Sequence, residues 1–315
     1  MRMQITWLAT VLVLPGLSAC GTDWEPDVLA EGKDTAELST LAKGRDTYAT
    51  YCVGCHGEKG DGKGPGSKYL NPKPRDFSTC RVKFMSVPAG EIPRDDDLLR
   101  TITNGLHGTA MPSFRFVSRE ERQSVIEYLK TFCTEWARPG RAAPVVIGSD
   151  PWATAPKRGI AEGERVYHAY GRCWSCHPAY VERQEIADYL KSFDMPATEF
   201  RADLYQSQIK DSDWGQKIMP PDFLLQRIKT GLDVESLAQV IAAGVSGTAM
   251  PTWAGAMPPQ QLWGIAHYIR DLALKRGTGD ADALRNRLAE QPPYTPPPAE
   301  PETIDDTVED QGGTP

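Results

Sequence analysis

The chain has 315 residues, 40% of them hydrophobic and 9% aromatic, enough for a sizeable core and a length that favours two domains over one. A mean hydropathy of −0.44 and the lack of a long uncharged apolar run argue against a membrane-spanning segment. The net charge of −7 is concentrated at the end, where seven acids from Glu290 to Asp310 meet no Lys or Arg; the near-neutral remainder disfavours nucleic-acid binding, which needs a basic surface.

Arg2 precedes an apolar stretch, residues 5–14, that closes on Leu17-Ser18-Ala19-Cys20-Gly21. A short hydrophobic segment behind a positive start reads as a secretory signal, residues 1–19. Its Leu-Ser-Ala-Cys ending resembles the bacterial lipobox, which implies that Cys20 is acylated and holds the chain on a membrane by lipid alone. An ordinary cleaved signal with an incidental cysteine is the alternative. Gly21 in place of Asp resembles outer-membrane sorting in a cell with two membranes. Either route leaves the chain on the periplasmic side of a bacterial membrane, an oxidising setting. Residues 20–37 then read as a linker to the anchor.

A first domain is expected over residues 38–135. Leu38, Leu41, Tyr48 and Cys52 fall at helical spacing and lead into Cys52-Val53-Gly54-Cys55-His56. A Gly- and Pro-rich loop, 57–74, runs to a Pro-x-Asp-Phe step, Pro74 to Phe77. Gly105-Leu106-His107-Gly108-Thr109-Ala110-Met111-Pro112 follows, and then a helical stripe of Val125, Ile126, Leu129 and Phe132. Residues 136–158, with Pro139, Pro144, Pro151 and Pro156, cannot hold a regular helix and read as a linker.

A second domain, 159–276, repeats the first. Gly163 and Tyr167 stand where Gly44 and Tyr48 stood. Cys173-Trp174-Ser175-Cys176-His177 repeats the cysteine motif, and Pro221, Asp222 and Phe223 the aromatic step. Gly244-Val245-Ser246-Gly247-Thr248-Ala249-Met250-Pro251 repeats the methionine context. Leu262, Ile265, Ala266, Ile269 and Leu272 repeat the closing stripe. The order of features is the same both times, so the body is a duplication. Residues 178–217 interrupt the parallel as an insertion. Beyond 276 one short helix is expected over 280–289, and the acidic, Pro-rich remainder of 277–315 reads as largely disordered, with a basic partner as its less common use.

Two thiols three residues apart on an opening helical turn can each add to a vinyl group of one haem, and the next His can bind its iron from below. A thioredoxin-like redox pair would want a preceding strand and a βαβ pattern, and a zinc site four ligands; neither pattern is visible. Met111 and Met250, each between small residues and Pro, are the candidate sixth ligands, with Met195 and Met219 as weaker rivals near the second haem. His/Met ligation raises the reduction potential and fills both axial positions.

By these residues the chain resembles the class I cytochromes c, in a di-haem arrangement of two fused domains. The resemblance implies an all-α fold, a few helices wrapped around each of two covalent haem c groups, and electron transfer between redox partner proteins. It implies haem attachment at Cys52, Cys55, Cys173 and Cys176, with iron bound by His56, Met111, His177 and Met250. It further implies a proline carbonyl behind each proximal His, with Pro74 and Pro221 as candidates, and Arg75 beside a haem carboxylate in the first domain alone. Cys80 and Cys133 remain, and in an oxidising compartment a disulfide is the economical reading, with two separate buried thiols as the alternative. His107 reads as a loop or surface residue, and His168 and His267 as ordinary helix residues. A freely moving carrier, a fixed subunit of a larger complex, and an enzyme of peroxidase or thiosulfate-oxidising type differ in the state of the iron and the partners, and the carrier fits the repeated Met context best.

Overall fold

The computed structural model describes residues 32–197 and 199–296; Cys20, the expected signal segment at 1–19 and the acidic end lie outside them. Nine α-helices, four short 3-10 helices and one hairpin of two two-residue strands make up the regular structure among the described residues, so the fold is all-α. Helix α1 (Thr35–Tyr51) begins where Asp34 and Glu37 form a reciprocal capping box. The single turn α2 (Val53–His56) carries the first cysteine motif. Helices α3 (Asp95–Asn104) and α4 (Arg119–Phe132) follow, the latter opened by a second capping box, Ser118 with Glu121.

In the second half, α5 (Pro156–His168) answers α1. Its first residue is Pro156, assigned above to a segment hostile to helix; at the first helical position the missing N–H has no partner to lose. Helix α6 (Arg183–Lys191) and strands β1 (Lys210–Asp211) and β2 (Lys217–Ile218), paired antiparallel, belong to the insertion. Helices α7 (Val234–Ala243) and α8 (Pro259–Lys275) correspond to α3 and α4, and α9 (Gly279–Ala289) closes the described chain. No helix among the described residues is long and apolar enough to cross a membrane.

Each half is built on one helix crossing, α1 on α4 and α5 on α8. The glycines at these crossings have a steric reason. A Cβ at Gly44 would stand 2.0 Å from the carbonyl oxygen of Ser124, and one at Gly163 2.0 Å from that of Gly264. Only a residue without a side chain lets the backbones approach so closely. Around the crossings lie two aromatic-rich cores, one with Tyr48, Leu98, Leu129 and Trp136, the other with Tyr167, Leu237, Trp263 and Tyr268. The insertion adds a small core of its own from Ile186, Leu190 and Leu204.

The halves are joined by more than the connecting chain. The N–H groups of Val145 and Ala89 donate to the carbonyls of Ser86 and Ala243, and Gln239 Nε2 also donates to Ser86 O. The intervening segment is pinned from both sides: Arg94 Nη1 donates to Ala142 O at 3.3 Å, and Trp263 Nε1 to Ile147 O at 2.9 Å.

Candidate functional site

The tyrosine ahead of each cysteine motif locks the motif's end. Tyr48 Oη donates to Gly57 O at 2.7 Å, and Tyr167 Oη to Pro178 O at 2.8 Å, in each case the residue after the motif histidine. Burial keeps both phenols protonated as donors: it pushes their pKa values well above the usual range. The histidine that follows is held on its other side as well. His56 Nδ1 lies 2.9 Å from Arg75 O and His177 Nδ1 2.9 Å from Pro221 O. A carbonyl can only accept, so Nδ1 carries the proton and Nε2 keeps its lone pair. Burial also lowers both imidazole pKa values and keeps the rings neutral. A neutral imidazole oriented through Nδ1 with a free Nε2 is the form that binds a metal.

The first of these acceptors corrects the sequence reading. Pro221 serves as expected, but in the first half the carbonyl is that of Arg75, not of Pro74. The two halves align on Asp76 with Asp222 and Phe77 with Phe223, which puts Arg75, one residue beyond Pro74, opposite Pro221. What position requires is a carbonyl, which any residue supplies. The aligned phenylalanines act too, a role the sequence did not disclose: Phe77 stacks on His56 at 4.5 Å between centroids and Phe223 on His177 at 5.0 Å, both near parallel. The preceding aspartates set them, since Asp76 Oδ1 accepts from Ser78 N–H and Asp222 Oδ1 from Leu224 N–H.

Opposite each histidine stands a methionine loop of one design. Gly105 and Gly244, with φ of 68° and 78°, end α3 and α7, and a Cβ on either would strike the Pro112 or Pro251 backbone within 3 Å. Thr109 Oγ1 donates to Leu106 O and accepts from Met111 N–H; Thr248 Oγ1 does the same between Val245 O and Met250 N–H. The carbonyls of Met111 and Met250 then take the N–H groups of Leu106 and Val245. The threonine is the brace that closes each loop and aims the methionine.

In the first half Cys52, Cys55, His56 and Met111 line a single apolar cleft of about 1300 Å³, open solvent at its mouth included. In the second, Cys173 and Met250 pack against the common core with Phe223. The rival methionines lie elsewhere: Met219 is 53% exposed, and Met195 packs in the insertion's own core. Among the remaining histidines, His107 is exposed. His168 is fully buried, its Nδ1 donating to Glu164 O and its Nε2 accepting from Tyr180 N–H, and His267 meets Asp150 at 2.9 Å. Cys80 and Cys133 are bonded to each other, with Cα atoms 5.3 Å apart.

The cysteine pairs do not suit thiolate chemistry. Burial pushes the Cys52 and Cys173 thiols up to about 12, where a redox-active or metal-binding cysteine needs the opposite shift. No group of three or more His, Cys, Asp or Glu side chains comes together around a metal ion among the described residues. A large flat cofactor with an apolar body and an acidic edge fits instead. The cleft is apolar, an unengaged imidazole nitrogen and a thioether are supplied to it, and cations line part of its wall. Arg75, Lys83 and Lys229 make no ion pair among the described residues, and the buried indole N–H of Trp214, whose ring lies 4.1 Å from the Arg75 guanidinium, has no acceptor.

These features define a cytochrome c type of site, built twice. The family model described as "Cytochrome C oxidase, cbb3-type, subunit III" matches residues 39–129 and 158–269, more than half of the chain, and the protein belongs to this family of cytochrome c domains, whose cofactor is covalently bound haem c. No curated protein is measurably similar. Among solved structures, a chain of the reducing HAO-like protein complex of Kuenenia stuttgartiensis is similar at 29% identity and a TM-score of 0.59, over 73% of this chain and 95% of that one. The protein is thus a cytochrome c-type electron-transfer protein.

Proposed function

We propose that the protein is an exported, lipid-anchored electron carrier that holds two haem c groups, one in each half, and passes single electrons between redox partner proteins. One observation supports this most directly: the same set of residues recurs in both halves, with a histidine fixed through Nδ1, a stacked phenylalanine and a threonine-braced methionine. A catalytic haem would want one of the two sites left open, and both carry the methionine loop intact. Bound haem supplies a one-electron Fe(III)/Fe(II) couple. His56 and His177 hold their ligating nitrogen in one orientation, Met111 and Met250 are fixed by their loops, and the apolar walls keep water away. Rigid ligands and a dry pocket keep the rearrangement on electron transfer small. Encounters with partners are expected to be weak and brief.

Mass measurement of the mature polypeptide tests the cofactor count directly; two added tetrapyrroles are expected, and none would sink the proposal. Met111→Ala and Met250→Ala should each remove half of the long-wavelength absorption band that marks sulfur-bound Fe(III). Peroxide turnover with both methionines intact would support an enzyme instead. The similarity to a chain from a protein complex favours a second reading, a subunit fixed within a larger assembly. Stable co-purification with a partner from detergent-solubilised membranes would favour that reading over a free carrier. For the anchor, Cys20→Ala should move the protein from the membrane to the soluble fraction; unchanged membrane attachment would refute acylation at that residue.

A further inference from the structure

Lys229 belongs to the second half, yet it lines the cleft of the first together with Lys83. The two lysines are equivalents, each six residues beyond its stacked phenylalanine, in Arg81-Val82-Lys83 and Arg227-Ile228-Lys229. Their backbones are exchanged across the seam. His107 N–H, in the Met111 loop, donates to Lys229 O at 2.9 Å, and Ser246 N–H, in the Met250 loop, donates to Lys83 O at 3.1 Å. The insertion of the second half also reaches over the first. It packs the Trp214 ring 4.1 Å from the Arg75 guanidinium and 5.4 Å from Lys83 Nζ, and Arg81 meets Asp213 at 3.3 Å. Four cations therefore line one apolar cleft, drawn from both halves; Lys73 is tied to the Ser67 and Lys68 carbonyls, and Arg75, Lys83 and Lys229 have no carboxylate partner among the described residues.

We infer that Arg75, Lys83 and Lys229 form a cradle, shared between the two domains, for the carboxylate groups of the first haem, so that the second domain helps to set the potential of the first domain's cofactor. The inference rests on the haem reading above. Like charges brought together and partly buried repel one another and lose hydration, and such a cluster persists where an anion completes it. The lysines feel this directly: burial, with Arg75 and Lys229 beside it, lowers Lys83 to about 8, and burial lowers Lys229. The indole N–H of Trp214, buried without an acceptor, is a further donor in want of an oxygen. The cradle cannot be the same on the other side, because Pro221 stands in the place of Arg75. A cation at the carboxylates favours the less positive iron, so removing one lowers the potential.

The test is a redox titration of the full-length, haem-loaded protein in a Met250→His background, where a second imidazole ligand displaces the other haem's step to lower potential. Lys229→Gln should lower the remaining step by about 59 mV, a tenfold change in the reduced-to-oxidised ratio at fixed potential. Lys83→Gln should act in the same direction, and Lys229→Arg should leave the step in place. The exposed Lys191→Gln, which removes the same charge from the second half, serves as control. Shifts for Lys229→Gln and Lys83→Gln no larger than that control would overturn the cradle, and the second of these variants keeps the test valid if the first does not fold. Absence of haem from the parent protein by mass would instead overturn the reading on which the cradle rests.

Discussion

Glycine 163 and its counterpart Gly44 show how one missing side chain decides the geometry of a half. The α5–α8 crossing brings Gly163 so close to the Gly264 backbone that a methyl group has nowhere to go. Gly163→Ala should therefore destabilise the protein by about 3 kcal/mol or prevent folding, at the upper end of overpacking costs; urea unfolding of the haem-loaded protein would show it, and an unchanged midpoint would contradict the crossing. His168 gives a prediction in pH. Burial lowers its pKa from 6.5 to about 3, so the unfolded chain binds a proton that the folded one refuses between those values. Its contribution to stability is complete above pH 6.5 and is lost as pH falls towards 3, with a slope of about 1.4 kcal/mol per pH unit at most. Glu164, raised by burial above its usual 4.5, works in the opposite sense from pH 4.5 upward. Replacing His168 by Gln should flatten the decline in unfolding midpoint between pH 6.5 and 5; an equally steep decline would mean that other groups carry it.

The methionine loops and the disulfide belong to the scale of elements. Each loop hangs on one hydroxyl that donates to one carbonyl and accepts from the methionine's own N–H. Thr248→Val keeps the shape and removes both bonds. It should cost about 1–2 kcal/mol and weaken the sulfur–iron band at acid or high temperature before the same band is affected in the first half. A variant as resistant as the parent would show that packing alone holds the loop. The Cys80–Cys133 bond closes a segment of 53 residues and ties the loop beyond Phe77 to the end of α4. Reduction should lower the stability of the first half by about 2–4 kcal/mol and leave the second unaffected, which separate melting of the two haem bands would detect.

At the scale of the whole molecule, the two halves meet through reciprocal backbone hydrogen bonds and not only through their covalent connection. Cleavage at the exposed Pro139–Gly140 turn should thus leave the halves together in gel filtration at low ionic strength; separation on nicking would mean that the seam has little strength of its own. Much of the site was legible beforehand because its parts are local. Cys52, Cys55 and His56 lie within five residues, and the braced loop around Met111 within eight, so each pattern survives in one dimension and recurs at Cys173 and Met250. Residues whose role depends on a distant surface were not legible. Phe77 carries no mark of the imidazole it covers, and the Arg75 carbonyl is a backbone group that no residue type betrays. Lys83 and Lys229 did leave one trace, the repeated Arg-Val-Lys and Arg-Ile-Lys triplets at a constant offset from the phenylalanines, but the trace says nothing of what the lysines face.

The sequence by itself determined that this protein is a duplicated helical unit with two sets of candidate haem-binding residues, because covalent attachment and axial ligation demand fixed residue types at short, repeated spacings. Only the tertiary structure decided that Arg75, not Pro74, holds His56, that the connecting segment is stitched to both halves, and that the wall of one half's cleft is partly furnished by the other. The first concerns a backbone group that any residue type supplies, and the last depends on how two equivalent loops meet across a seam, where contacts between residues more than a hundred positions apart leave no periodicity for a sequence to display.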